Sequence, residues 1–223
     1  MELMQMLARP LTLGREMAAR KAIKQFARKM DLVYFGYVNQ RQDAHELIRG
    51  ITVAATHTDT HFCVGHYEGY DISLVERRNT IAYPQQPAQQ YHWLILQIDL
   101  RQQHLPHVFI DANHHDQLFY ETLFMRFANF ANAAVLFAQR DAAFARSFRI
   151  FAPADKFDDV DELFAPNITA GLAERFRQFD YEIDADRLFV YANSPATTTR
   201  LLQDMLAAGT WFAQRLDGSA PRQ

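Results

Sequence analysis

The dipeptide Glu68-Gly69 limits what this chain can fold into more than any other feature. It joins HFCVGHY (61–67) to YDISLVE (70–76), two runs of alternating apolar and polar residues. A two-residue connection with glycine where positive φ is wanted predicts a tight antiparallel hairpin. The turn also sets the register: Tyr67 opposes Tyr70, His66 faces Asp71, and His61 faces Glu76. One face collects Tyr67, Tyr70, Ile72, Leu74 and Cys63, so Cys63 reads as a small buried hydrophobe and not as a nucleophile. The two histidines acquire acidic cross-strand neighbours from the pairing alone.

Further strand patterns surround the hairpin. LVYFGYV (32–38) is β-branched and aromatic, and ITVAATHT (51–58) alternates Ile51, Val53 and Ala55 with Thr52, Thr56 and Thr58. HWLILQIDL (92–100) is apolar on both faces and belongs inside a sheet, and HVFIDA (107–112) follows it. Asn113 offers an N-cap to a helix over 114–138. The last third reads as a strand (146–152), two short helices (159–164 and 168–178), a hairpin (180–192) and a helix over 196–217, started by Ser194-Pro195 and stopped at Gly218. The sum is one α+β domain over 31–218, a mainly antiparallel sheet with packed helices.

Ahead of it, residues 1–30 form a basic amphipathic helix. Ile23, Phe26, Ala27 and Met30 recur at helical spacing, and Arg15, Arg20, Lys21, Lys24, Arg28 and Lys29 cover most of the rest. The narrow apolar stripe predicts an appendage whose removal leaves the body folded. Residues 1–30 carry a local +5 in a chain of net −3, so the remainder carries −8. An acidic body excludes a general nucleic-acid binder, whose affinity rests on neutralised phosphates. The basic face, residues 14–30, is the expected contact with an anionic membrane surface or a protein partner.

A lone cysteine excludes an intrachain disulfide and any CxxC motif. No run approaches the roughly 18 apolar residues that span a bilayer, and the amino terminus lacks a signal-peptide core. Both point to a cytoplasmic protein, with the membrane surface as its expected periphery.

Chemistry is concentrated in the histidines, all nine of which fall between His45 and His115. In THTDTH (56–61), His57, Asp59 and His61 are candidate metal ligands, with Glu76 across from His61, a donor set that suits zinc or iron. Asp111, His114, His115 and Asp116 form a second cluster where a strand becomes a helix. Neither has the spacing of HExxH, Asp59 is at home in a turn, and Asp116 suits the first turn of a helix. The chain has no GxSxG, GxxxxGK[ST] or GxGxxG. The leading expectation is therefore a non-catalytic binding or regulatory domain without a cofactor. A metal-dependent hydrolase using His57, Asp59 and His61, aided by His114 or His115, is the alternative.

HFCVGHYEGYDISLVE, FARSFRIFA and DYEIDADRLFVYA, in that order and spacing, carry a family resemblance. Gly65, Tyr67 and Gly69, then Phe144, Phe148, Ile150 and Phe151, then Leu188 to Tyr191 resemble an uncharacterised bacterial family known only as a domain of unknown function. The resemblance spans roughly 50–215 and implies an α+β fold with no assigned activity and no catalytic residues to carry over. Many such relatives have hydrophobic helices ahead of the domain, where this chain has its basic helix.

Overall fold

The computed structural model describes residues 2–37, 48–53, 57–82, 87–112, 129–194 and 196–218, with 2–13 as backbone only. Among the described residues, nine strands form one sheet: β1 (Val33–Tyr37), β2 (Thr58–Tyr67), β3 (Tyr70–Ile81), β4 (Gln89–Asp99), β5 (Leu105–Ala112), β6 (Phe130–Asn132), β7 (Phe148–Pro153), β8 (Asp180–Ala185) and β9 (Arg187–Asn193). Their order is β1-β2-β3-β4-β9-β8-β5-β7-β6, and every neighbouring pair is antiparallel. The helices are α1 (Glu2–Lys29), α2 (Val135–Ala138), α3 (Ala142–Ser147), α4 (Phe157–Leu163), α5 (Pro166–Arg175) and α6 (Thr199–Gly218). The fold is α+β.

The β2–β3 hairpin turns as its sequence demands. Glu68 and Gly69 both take positive φ, 49° and 86°, the geometry whose twist matches the flanking strands. Tyr67 pairs with Tyr70, His66 with Asp71 and Cys63 with Leu74. One departure matters later. The register shifts between Thr60 and Cys63, and His61 has φ +58°, so the strand carries a bulge there. Thr60, and not His61, is paired with Glu76.

β4 lies inside the sheet, and Trp93, Leu94, Ile95, Leu96 and Ile98 are all buried. Even members face the larger core with Leu74, Val190 and α6, while Trp93 and Ile95 face a smaller one with Val75, Ile48 and Ile51. Helix α6 lies on β4 and β9, with α1 beside it. A glycine permits the close approach: a Cβ on Gly209 would stand 2.7 Å from Ile98 Cδ1.

Several expectations are corrected. Helix α1 is no appendage: Ile23, Phe26 and Ala27 are buried members of the larger core. Of the strand expected over 51–58, Ile51 and Thr52 lie instead in a turn, closed by Val53 N–H donating to the Gly50 carbonyl at 3.2 Å, 54–56 lie outside the described residues, and Thr58 begins β2. The cause is tertiary, because Ile51 N–H donates to Glu182 Oε2 at 2.7 Å instead of to a ladder. Of the helix expected over 114–138, residues 114–128 lie outside the described residues, as does its expected cap Asn113, but Phe130–Asn132 are strand β6, paired with β7. Asn132 Oδ1 then accepts from Ala134 N–H at 2.8 Å, turning the chain just ahead of α2. Helix α6 starts at Thr199, three residues past the expected start, with Thr198 Oγ1 accepting from Leu201 N–H at 3.1 Å.

Candidate functional site

His57, Asp59 and His61 do not converge. Asp59 is buried, and Arg77 Nε and Nη2 donate to its two carboxylate oxygens at 2.7 Å each. Alternation along β3 puts Arg77 on the face of Val75 and Glu76 on the face of Leu74. The bulge turns His61 onto the second of these, with Nδ1 2.7 Å from Tyr34 Oη and Nε2 3.9 Å from Glu76 Oε2. His57, half-buried, precedes β2. No three His, Cys, Asp or Glu side chains among the described residues are arranged to hold a metal ion. In the second cluster, Asp111 is ion-paired with Arg149, and His114, His115 and Asp116 lie outside the described residues.

The structure assembles a different group, centred on Glu76. This carboxylate is fully buried, and Oε1 accepts from His92 Nε2 at 2.5 Å and Arg78 Nη2 at 3.2 Å. His92 Nδ1 is 2.7 Å from the Ser194 carbonyl oxygen, which can only accept, so Nδ1 carries a hydrogen. Nε2 faces another acceptor, and the His92–Glu76 pair therefore holds one shared proton. Burial pulls His92 down, but the hydrogen bond and charge of Glu76 outweigh it and hold the imidazole above its usual range. Burial pushes Glu76 up, and His92 first, then His61 and Arg78, bring it below the usual range. His61 goes the other way, lowered by burial against the pull of Glu76. Burial also pushes the Cys63 thiol up to about 12, as expected of an inert core residue.

Two spaces with Arg15, Arg78 and His92 in both linings open beside this group. A small cavity of about 80 Å³ is lined by Ala18 and Ala19 of α1 with Glu76, His92 and Thr197. Outside it, a cleft of about 400 Å³ runs past Arg15, Glu16, Arg78, Gln90 and Tyr91. Arg78 Nη1 donates to Glu16 Oε1 at 2.8 Å across the cleft.

The other side of α1 is basic. Arg20, Lys21, Lys24 and Arg28, with Tyr34 of β1, line an open groove of about 650 Å³. Lys24 Nζ sits 5.2 Å from the centre of the Tyr34 ring, and Met17 at the groove's edge is 73% exposed.

No family model and no curated protein matches this chain. A solved structure does. The crystal structure of the mycobacterial trehalose monomycolate transport factor A, TtfA, is similar with a TM-score of 0.58 over 92% of this chain and 99% of that one. At 8% identity this is a likeness of fold. Among the described residues, no helix is long and apolar enough to cross a membrane.

Sequence spacing pointed to His61 and Glu76 but missed His92 and Thr197. His92 reaches Glu76 because β3 and β4 pair Arg78 with His92, and the polar 82–88 connection left that register unreadable.

Proposed function

We propose that this protein is a non-catalytic cytoplasmic domain that docks on an anionic membrane surface through the basic face of α1. One observation carries the reading: Arg20, Lys21, Lys24 and Arg28 line a single open groove, while Ile23, Phe26 and Ala27 on the opposite stripe are buried in the core. The stripe fixes the helix, and its cations are left to face outward on a rigid frame. Basic side chains near an anionic surface contribute about 1 kcal/mol each, so four give about 4 kcal/mol, a reversible attachment to which exposed Met17 adds apolar contact. TtfA, a neighbour in fold, is named as a transport factor for trehalose monomycolate. A role beside lipid agrees with that name and with the resemblance to a bacterial family of often membrane-tethered domains.

Flotation of the full chain tests the reading. Vesicles rich in anionic lipid should carry the protein at low salt and release it as ionic strength rises, because exposed charges are screened within about 10 Å at 0.1 M. A variant with Lys21→Glu, Lys24→Glu and Arg28→Glu should stay behind. Equal flotation of both proteins, or equal binding to neutral vesicles, would remove the membrane surface as the partner.

A further inference from the structure

We propose that the cleft between α1 and the β3–β4 ladder binds a small aminoalkyl phosphate, its ammonium group seated against Glu76 and Thr197 and its phosphate between Arg15 and Arg78. None of the residues lining this cleft lines the basic groove, so the site stands apart from the docking reading.

The inner cavity sets the class of the first group. Two buried oxygens, Glu76 Oε2 and Thr197 Oγ1, have no hydrogen-bond partner among the described residues, and both belong to residues lining the same space of about 80 Å³. Buried polar oxygens without a hydrogen bond are costly and rare, and Glu76 Oε2, which can only accept and has His61 Nε2 no nearer than 3.9 Å, calls for an occupant that donates. A ligand hydroxyl donates once. A primary ammonium donates three times, enough to reach both Oε2 and Thr197 Oγ1 while Arg78 and His92 stay on Oε1. Water takes about 30 Å³ in the liquid, so this space admits an aminomethyl group or about two waters.

The outer cleft sets the class of the second group. Arg78 already holds a carboxylate there, Glu16, in a pair whose side chains are both 46% exposed. Such a pair is weak, and a doubly charged phosphate can replace it by bridging Arg78 and Arg15. Glu16 is thus the built-in competitor for the anion position. Arg78 and His92, cross-strand partners lining both spaces, mark where the two halves of the ligand join.

Calorimetry on the full chain with phosphoethanolamine, inorganic phosphate and ethanolamine tests the assignment. Phosphoethanolamine should bind about tenfold or more tightly than either fragment, the gain expected of one charge-assisted hydrogen bond. Glu16→Gln should tighten it. Thr197→Val and Glu76→Gln should each bring its affinity toward that of inorganic phosphate, and the threonine variant serves should loss of the buried charge unfold the protein. Neutral vesicles with and without phosphatidylethanolamine separate the sources. Binding that free phosphoethanolamine displaces assigns a lipid headgroup, and binding of the free compound alone assigns a soluble ligand; either supports the site. Phosphoethanolamine binding no tighter than phosphate means that water fills the cavity, and unchanged affinity in the threonine variant means that the ammonium sits elsewhere; either overturns the proposal.

Discussion

Arg77 and Asp59 form a bidentate ion pair sealed inside the protein, and the arginine has no donor to spare. Beyond its two bonds to Asp59, it donates to the carbonyls of Ile48 and Arg49 and to Thr52 Oγ1, at 2.5, 3.0 and 3.0 Å. All five of its N–H groups are thereby used. The pair closes the segment 48–52 over the smaller core, where Ile48 and Ile51 are buried.

Arg77→Ala should therefore destabilise the protein by about 3–5 kcal/mol, the cost of leaving a buried charge without its partner. An isolated buried pair can often be replaced by apolar residues at little cost. Here that rescue should fail, because Arg77→Met with Asp59→Leu still orphans two carbonyls and a hydroxyl. Urea melts of both variants check this, and wild-type stability in the double variant would show that the backbone acceptors find water.

Titration of the histidines gives a second expectation. His92 is held above its usual range by Glu76, and His107 by Glu182, in each case against burial. Groups raised in the fold stabilise fully below the unfolded value of about 6.5, and that stabilisation is lost as pH rises through the raised values. Glu76 is lowered, so its contribution is present above about 4.5 and lost below it, and His61, also lowered, loses its contribution as pH falls below about 6.5. The melting temperature should thus decline above pH 6.5, and more gently in His92→Gln than in wild type. Identical slopes in the two proteins would count against the shared proton at Glu76.

Much of this was legible in the chain. The Glu68-Gly69 turn gave the β2–β3 register from Tyr67 down to Cys63, and the doubly apolar 92–100 run announced an interior strand. Reading failed where a distant group overrides local pattern. Ile51 looks like a strand residue until Glu182, 131 positions away, takes its amide. The bulge at His61 has no sequence mark, since a histidine at φ +58° carries no glycine to announce it, and it moved His61 away from Asp59. Sites assembled from β2, β3, β4 and the 194–197 segment depend on a sheet order that spacing alone does not encode.

Helix α1 should prove integral. Phe26 is 1% exposed and Ile23 fully buried, so Phe26→Ala should cost about 3–5 kcal/mol. Deleting residues 1–30 also uncovers the core around Leu32 and Cys63, and should yield a protein that binds a hydrophobic dye and melts without cooperativity. A sharp melt for the deletion would restore the helix to the status of an appendage.

Helix α6 is held by position-specific packing, and its residues should respond unequally. Leu202 is fully buried and Leu201 only partly, so Leu202→Ala should cost about 2–5 kcal/mol and Leu201→Ala distinctly less. Gly209 gives the sharper test. In a helix interior, glycine to alanine ordinarily gains about 1 kcal/mol. At this site the new methyl would meet Ile98 Cδ1 at 2.7 Å and Val190 Cγ2 at 3.1 Å, both on the buried face of the sheet. Strain of about 1–3 kcal/mol then exceeds the gain, and Gly209→Ala should lower the urea midpoint despite its better helix propensity. A raised midpoint would mean that α6 can lift from β4 and β9 without loss, and that the helix rests on the sheet less closely than Gly209 implies.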